Sequence, residues 1–235
     1  MFIDFHTHFL HGIDDGAYDL ETGLAMLLES YRQGTEYVVA SPHFYSDKIS
    51  INEACETRDN ALSQILDYAQ NGNFQIPHII RGFEVSFNND LKDMTDLKKL
   101  CIEGTDCMLV EMPYAEWDEQ TFEELYNLTL TGVKPVIAHV DRYYKLFGKS
   151  VYRLSELDLY FQFNCDSLQS LKCRSFIRSL MSSGRICTIG TDMHNITSRP
   201  CDMEKAYKKA ARKLSQYADD LFYANAYRIL FENRN

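Results

Sequence analysis

With 235 residues, 45% of them hydrophobic and 13% aromatic, the chain has a globular composition and the length to bury one substantial core, so a single domain spanning 1–235 is expected, with no disorder expected other than at the last few residues. Its 24 Lys and Arg against 34 Asp and Glu leave a formal net charge of −10, which repels nucleic acid and anionic membrane surfaces. An anionic substrate would have to be attracted by local cations or by metal ions.

The chain opens with MFIDFHTH, which has no basic segment and carries Asp4 inside its apolar start. No run of about 18 apolar residues follows anywhere, so a cytoplasmic protein without membrane insertion is expected. From there, short apolar runs rich in β-branched and aromatic residues alternate with longer helical stretches, the pattern of repeated β-α units around a parallel sheet. Seven strands are predicted: Met1–Phe5, Glu36–Ala40, His78–Phe83, Cys107–Val110, Lys134–Ala138, Leu159–Phe163 and Arg185–Ile189. Between the first two, Asp19 is placed to cap a helix whose Leu20, Leu24, Leu27, Leu28 and Tyr31 share a face, and Gly34 closes it. A long helix is predicted from Ile51 to near Gly72, another from Ser167 to Ser183, and an amphipathic helical stretch from Cys201 to Phe231 with a break near Ser215. The seven cysteines are scattered, without a C-x-x-C pair, as expected of reduced thiols inside a cell. None is followed six positions on by an arginine, so the C-x5-R phosphate loop of cysteine-dependent phosphatases is absent.

Metal-ligating side chains follow all but one of the predicted strands. His6 and His8 come after the first, His43 after the second, Glu84 after the third, Glu111 after the fourth, His139 after the fifth, and Asp192 and His194 after the seventh. Only the sixth, ending at Asn164, offers no strong ligand. In a parallel barrel the C-terminal strand ends share one rim, so these residues would converge. A lone histidine at a strand end is more often structural than ligating, and the inference comes from the set. So many imidazoles and carboxylates at close quarters would repel or neutralise one another unless cations lay between them. Side chains alternate along a strand, so the H-x-H of His6 and His8 turns both rings to one side. His11 and His78 fall outside this pattern and are read as structural or surface residues. Asp14 and Asp15, in the glycine-flanked loop GIDDG, could each fold back over the cup, and geometry alone does not choose between them.

Nitrogen and oxygen donors without thiolate suit Mn, Fe, Co or Zn. Eight or nine ligands are too many for one ion, so two or three ions are expected, about 3.5–4 Å apart where bridged. Such a cluster suits phosphate-ester hydrolysis, one ion generating hydroxide while the others hold phosphoryl oxygens. Arg142, three residues past His139, and Arg199, five past His194, would add planar charged forks for a phosphate.

The segments HTHFLHGIDDGA, ASPH, GFE, VEMPY, IAHVDRY and TDMHNITSRP resemble, in order and spacing, the polymerase and histidinol phosphatase (PHP) superfamily. They are most similar to its bacterial protein-tyrosine phosphatases encoded with capsule and exopolysaccharide genes, and the likeness runs from His6 to Pro200. The resemblance implies a distorted seven-stranded (β/α)7 TIM-like barrel with a trinuclear, manganese-dependent site and hydrolysis of phosphotyrosine without a cysteine nucleophile. It implies one ion on His6, His8, Glu84 and Asp192, a second on Glu84, Glu111 and His139, and a third on Asp15, His43 and His194, with Arg142 and Arg199 binding the substrate phosphate. The implied substrate is a tyrosine-phosphorylated protein, a bacterial tyrosine kinase of the polysaccharide pathway; the alternative is a small phosphomonoester of the histidinol phosphate kind. The chain departs from the family pattern at His11, Phe44, Val140 and Met193, none of them a presumed ligand. Phe44 is expected to set an apolar ring at the rim, and the acidic stretch from Trp117 to Leu128 is read as a helix near it.

Overall fold

The structure is a computed structural model describing residues 1–88 and 90–232. Nine strands lie among the described residues, each pairing parallel with its neighbours: β1 Phe2–Thr7, β2 Thr35–Ala40, β3 His43–Phe44, β4 His78–Arg81, β5 Glu84–Ser86, β6 Cys107–Glu111, β7 Lys134–Ile137, β8 Tyr160–Asn164 and β9 Cys187–Gly190. They form two sheets, β1-β2-β4 and β3-β5-β6-β7-β8-β9. The two strands beyond the seven predicted arise because the second and third predicted strands each break and restart. Pro42 has no N–H to give to a ladder, and the chain kinks through Ser41 and Pro42 before β3 and through Gly82 and Phe83 before β5. Backbone bonds from Gly82 N to Ala40 O (2.9 Å) and from Glu84 N to Pro42 O (3.0 Å) stitch the breaks together.

At the other seam, His6 O accepts from Asp192 N (2.8 Å) and His8 N donates to Met193 O (3.1 Å), so the chain after β9 lies against the end of β1. The strands thereby surround a common interior, as in a TIM-like α/β fold with its strand ends on one rim.

Helices α1 Leu20–Arg32, α2 Ile51–Asn71, α3 Glu119–Leu130, α4 Val140–Phe147, α5 Leu171–Ser182 and α6 Met203–Lys213 connect the strands and cover the sheet. Local chemistry sets their starts. Asp19 accepts from Thr22 N (2.8 Å) at α1, Ser50 and Glu53 form a reciprocal capping box at α2, and Asp118 accepts from Thr121 N (2.9 Å) at α3. In α2 the buried positions Ala54, Arg58, Ala61, Leu62 and Ile65 recur at helical spacing and turn one stripe to the core. After α6 the predicted break occurs at the short 3₁₀ turn Ser215–Tyr217, where the main helix has already ended.

Both faces of the strands are apolar, as a parallel sheet requires. Val38, Met108, Val110 and Ile137 pack toward the helices. Alternate residues Val39, Leu109, Val136 and Ala138 join Ile3 and Phe5 in a second cluster, closed by Ala226, Ile229 and Leu230 from the C-terminal helical segment. Polar groups are concentrated at the opposite end of the strands. No helix among the described residues is long and apolar enough to cross a membrane.

Candidate metal centre

Glu84, the first residue of β5 and 1% exposed, is the hub of the rim. Its Oε2 lies 3.0 Å from His6 Nε2, 3.2 Å from His8 Nε2 and 3.2 Å from His43 Nδ1, while its Oε1 lies 2.8 Å from His139 Nε2. His139 Nε2 is also 3.5 Å from Glu111 Oε1. On the other side, Asp192 Oδ1 lies 3.7 Å from His6 Nε2, 3.5 Å from His8 Nε2 and 3.5 Å from His194 Nδ1. Asp15 Oδ1 sits 3.2 Å from His194 Nε2 and 3.4 Å from His43 Nε2. The nine predicted ligands therefore form one continuous constellation. Three subsets bring their donor atoms close enough for a cation: His6, His8 and Asp192; His43, Glu84 and Glu111; His8, Asp15, His43 and His194.

A ring of supporting residues fixes the donors. His8 Nδ1 faces Asp14 Oδ2 at 2.8 Å, and His6 Nδ1 faces Gln162 Oε1 at 3.1 Å. Neither oxygen can donate, so the proton sits on Nδ1 in both rings and the lone pair on Nε2. Those two Nε2 atoms are 2.9 Å apart beside two carboxylates. Lone pairs facing at that distance repel, and a cation bound among them removes the conflict. The donor set thus fits a cluster of divalent ions. Asp14 and Asp15, equivalent in sequence, divide the work: Asp15 turns into the cup, whereas Asp14 stays behind His8 and also accepts from Gly16 N (2.9 Å) and His43 N (3.0 Å).

The backbone pays locally for this convergence. His139 and Asp192 have φ of 31° and 52°, in the left-handed region that costs a non-glycine residue free energy. Two glycines permit close approach. A Cβ on Gly190 would come 2.6 Å from His6 Cβ, and one on Gly16 would strike the His8 carbonyl.

In the metal-free chain, protons take the place of cations. Burial opposes a charge on His8, but Asp14 and Glu84 outweigh it and hold its pKa up to about 10. His139 is pushed up to about 9 because Glu111 and Glu84 overcome the same desolvation. Burial likewise resists ionisation of Glu84 and Asp192, yet facing imidazoles, with Arg142 beside Asp192, hold both carboxyls below the usual range. His194 goes down to about 4, through burial and then the charge on His8.

Arg142, on the first turn of α4, and Arg199 both reach Asp192: Arg142 Nη2 pairs with Oδ2, and Arg199 Nη2 lies 2.8 Å from Oδ1. Both guanidinium groups remain partly exposed at the mouth. Arg142 also donates to the Tyr114 hydroxyl at 3.1 Å, and that ring stacks 6.1 Å from His139.

Several supporting residues escaped sequence reasoning. Gln162 Oε1 serves both His6 Nδ1 and His139 N (2.6 Å), and Asn164 Nδ2 donates to Asp192 Oδ2 at 2.9 Å. The sixth predicted strand, which offers no strong ligand of its own, therefore holds three of the predicted ligands in place. Its signal was a glutamine and an asparagine in the otherwise aromatic run YFQFN. The apolar ring expected at the rim is not there: Phe44 is fully buried against Phe83 at 6.1 Å, because the short β3 turns alternate side chains to the core. His11 faces Gln64 of α2 at 3.2 Å, and Val140 and Met193 are buried. The acidic helix starts at Glu119 rather than Trp117, whose ring instead packs on Tyr143 and Phe147. Six of the seven cysteines are buried, and burial pushes Cys101 and Cys201 up to about 12, so these thiols are poor nucleophiles.

Comparison with known proteins places the chain in a family and agrees with its fold. Residues 2–231 match the family model described as capsular polysaccharide synthesis, CpsB/CapC. The tyrosine-protein phosphatase CpsB of Streptococcus pneumoniae is 28% identical over 242 residues, covering 98% of both chains. Its namesake from Streptococcus agalactiae serotype III is 26% identical, covering 97% of this chain and 98% of that one. A crystal structure from work on YwqE of Bacillus subtilis and CpsB of S. pneumoniae, described as metal-dependent tyrosine phosphatases, has a TM-score of 0.80 at 23% identity, covering 99% of this chain and 95% of that one.

Proposed function

From the premise that the chain belongs to the CpsB/CapC family of capsular polysaccharide synthesis, we propose that it is a metal-dependent protein-tyrosine phosphatase acting in the cytoplasm on a phosphorylated tyrosine kinase of that pathway. The observation that carries the reading is the convergence of five histidines and four carboxylates on Glu84 and Asp192, with two guanidinium groups at the same mouth.

We assign three ions, manganese being the resident metal: one on His6, His8, Glu84 and Asp192, one on Glu84, Glu111 and His139, and one on Asp15, His43 and His194. The division among ions follows the family likeness; short distances join His6 and His139 to Glu84 and His194 to Asp15, and His43 Nδ1 also lies 3.2 Å from Glu84 Oε2. When bound, such ions acidify a water molecule and offset phosphoryl charge. The protein does the rest by positioning. Asp14 and Gln162 keep the Nε2 lone pairs of His8 and His6 turned into the cup. Arg142 and Arg199 present forked donors to the equatorial phosphoryl oxygens, Tyr114 orienting the first. The phenol of phosphotyrosine has a pKa of about 10, so its oxygen leaves without a dedicated proton donor, and none is assigned.

The test is direct. Chelator should abolish hydrolysis of a phosphotyrosyl peptide and manganese should restore it, whereas alkylation of thiols should leave the metal-loaded enzyme active. Loss of activity on alkylation alone would bring a cysteine mechanism back. Faster turnover of histidinol phosphate than of the peptide would favour the small-molecule phosphomonoesterase.

A further inference from the structure

Beyond Asp15 and His43 the cup opens into a cavity of about 520 Å³ whose chemistry differs from that of the ligands. Its walls are Ile13 from the GIDDG loop, Tyr45, Lys48 and Ile49 between β3 and α2, Thr57 on α2, and Phe83. The Tyr45 ring lies 5.5 Å from that of His43, so the apolar wall begins directly beside a ligand. Lys48 Nζ sits 3.9 Å over the Tyr45 ring, is exposed, and enters no ion pair among the described residues.

We infer that this cavity receives the aromatic ring of a phosphotyrosine together with an acidic side chain next to it in the protein segment, and that Lys48 is the specificity-determining cation. The inference rests on the phosphatase reading and deepens it. A phosphate held at the cup with its ester substituent turned past Asp15 and His43 would set that substituent against aliphatic and aromatic walls, which suit a planar ring better than a polar chain. With a net charge of −10 the protein as a whole repels acidic peptides, and Asp14 and Asp15 line the same cavity; the assigned ions and the two guanidinium groups face the phosphate, so an acidic neighbour is attracted only where a further cation stands, and Lys48 supplies one beside the cavity. A small phosphate ester bearing an ammonium group would meet that same charge unfavourably.

The experiment uses the full chain loaded with manganese and two fluorescent peptides carrying a non-hydrolysable difluorophosphonate analogue of phosphotyrosine. One has Asp and Glu on both sides, the other has Lys. Anisotropy titrations should show the acidic peptide binding about fivefold tighter to the wild type, and the preference should reverse in Lys48→Glu. Each ratio is taken within one protein, so it does not depend on how much of the variant folds. A third peptide, acidic and carrying a phosphonate on an aliphatic serine analogue, should bind about tenfold more weakly than its aryl counterpart because no ring fills the cavity. Equal ratios in wild type and Lys48→Glu, equal affinity for the aryl and aliphatic phosphonates, or no binding of the acidic peptide would each overturn the inference. Phenyl phosphate turnover, measured separately, distinguishes failure of the phosphatase reading: binding ratios as expected without turnover would keep the recognition site and remove the reaction.

Discussion

Replacing Asp14 with asparagine removes a charge while keeping nearly the same shape, and it isolates what Asp14 does without being assigned to any ion. Its carboxylate holds His8 Nδ1 at 2.8 Å and also accepts from His43 N and Gly16 N, so it orders two ligands at once. Burial alone would raise its pKa, but His8 dominates and the group sits lowered from 3.8 to about 2. That displacement, worth about 2.5 kcal/mol, is the net of the opposing burial effect and of the attractions from His8, Gly16 N and His43 N, with His8 the largest of the three. A metal-bound imidazole is neutral, and part of that survives as a hydrogen bond to an ionised acceptor. The expected loss is therefore about 1.4–2.7 kcal/mol, or tenfold to a hundredfold in manganese affinity. Competition with a chelating dye measures it. Asp14→Asn should bind the full complement of ions more weakly, whereas Asp15→Asn, which removes a ligand assigned to the third ion, should lose one ion. Manganese affinity in Asp14→Asn within twofold of wild type, or the same stoichiometric defect in both variants, would refute this division of labour.

Loading the metal-free protein with manganese at pH 7 should release about two protons per chain, because His8 and His139, held up to about 10 and about 9, must deprotonate before they ligate; calorimetry in buffers of different ionisation enthalpy reads this number, and no buffer dependence would contradict it. In the metal-free chain the His8–Asp14 pair should stabilise most between about pH 4 and 6.5, the His8 contribution fading as pH rises through about 10 and that of Asp14 fading as pH falls toward about 2, as followed by the midpoint of thermal unfolding across pH. Gly190→Ala would drive its new methyl into His6 and Gln162, costing about 1–3 kcal/mol and lowering the melting temperature by about 2–4 °C per kcal/mol, with a parallel loss of metal affinity; an unchanged melting curve would show that the close approach is not needed.

The strands and the gathering of the candidate ligands at their ends are legible because short apolar runs set between helical stretches mark parallel strands, and parallel strands put their ends on one rim. Other features depend on contacts that no local pattern carries. The breaks at Pro42 and Gly82 mark where two neighbouring stretches, β2 to β3 and β4 to β5, pass side by side from one sheet to the other, a tertiary register. Asp14 and Asp15 carry identical chemistry in adjacent positions, and only the fold of the loop over His8 separates them. Gln162 and Asn164 were passed over because neither is a strong ligand; their importance lies in what they hold, His6, His139 and Asp192. Phe44 misled because a two-residue strand is too short for its alternation to be read from sequence.

The most direct measurement removes all metal from the purified protein, adds manganese back stepwise, and follows bound metal by elemental analysis and phosphotyrosyl-peptide turnover on the same samples. Turnover should be absent from the stripped protein and should climb with loading to a plateau at three ions per chain. Full turnover by a protein carrying well under one ion per chain would contradict the account at its centre.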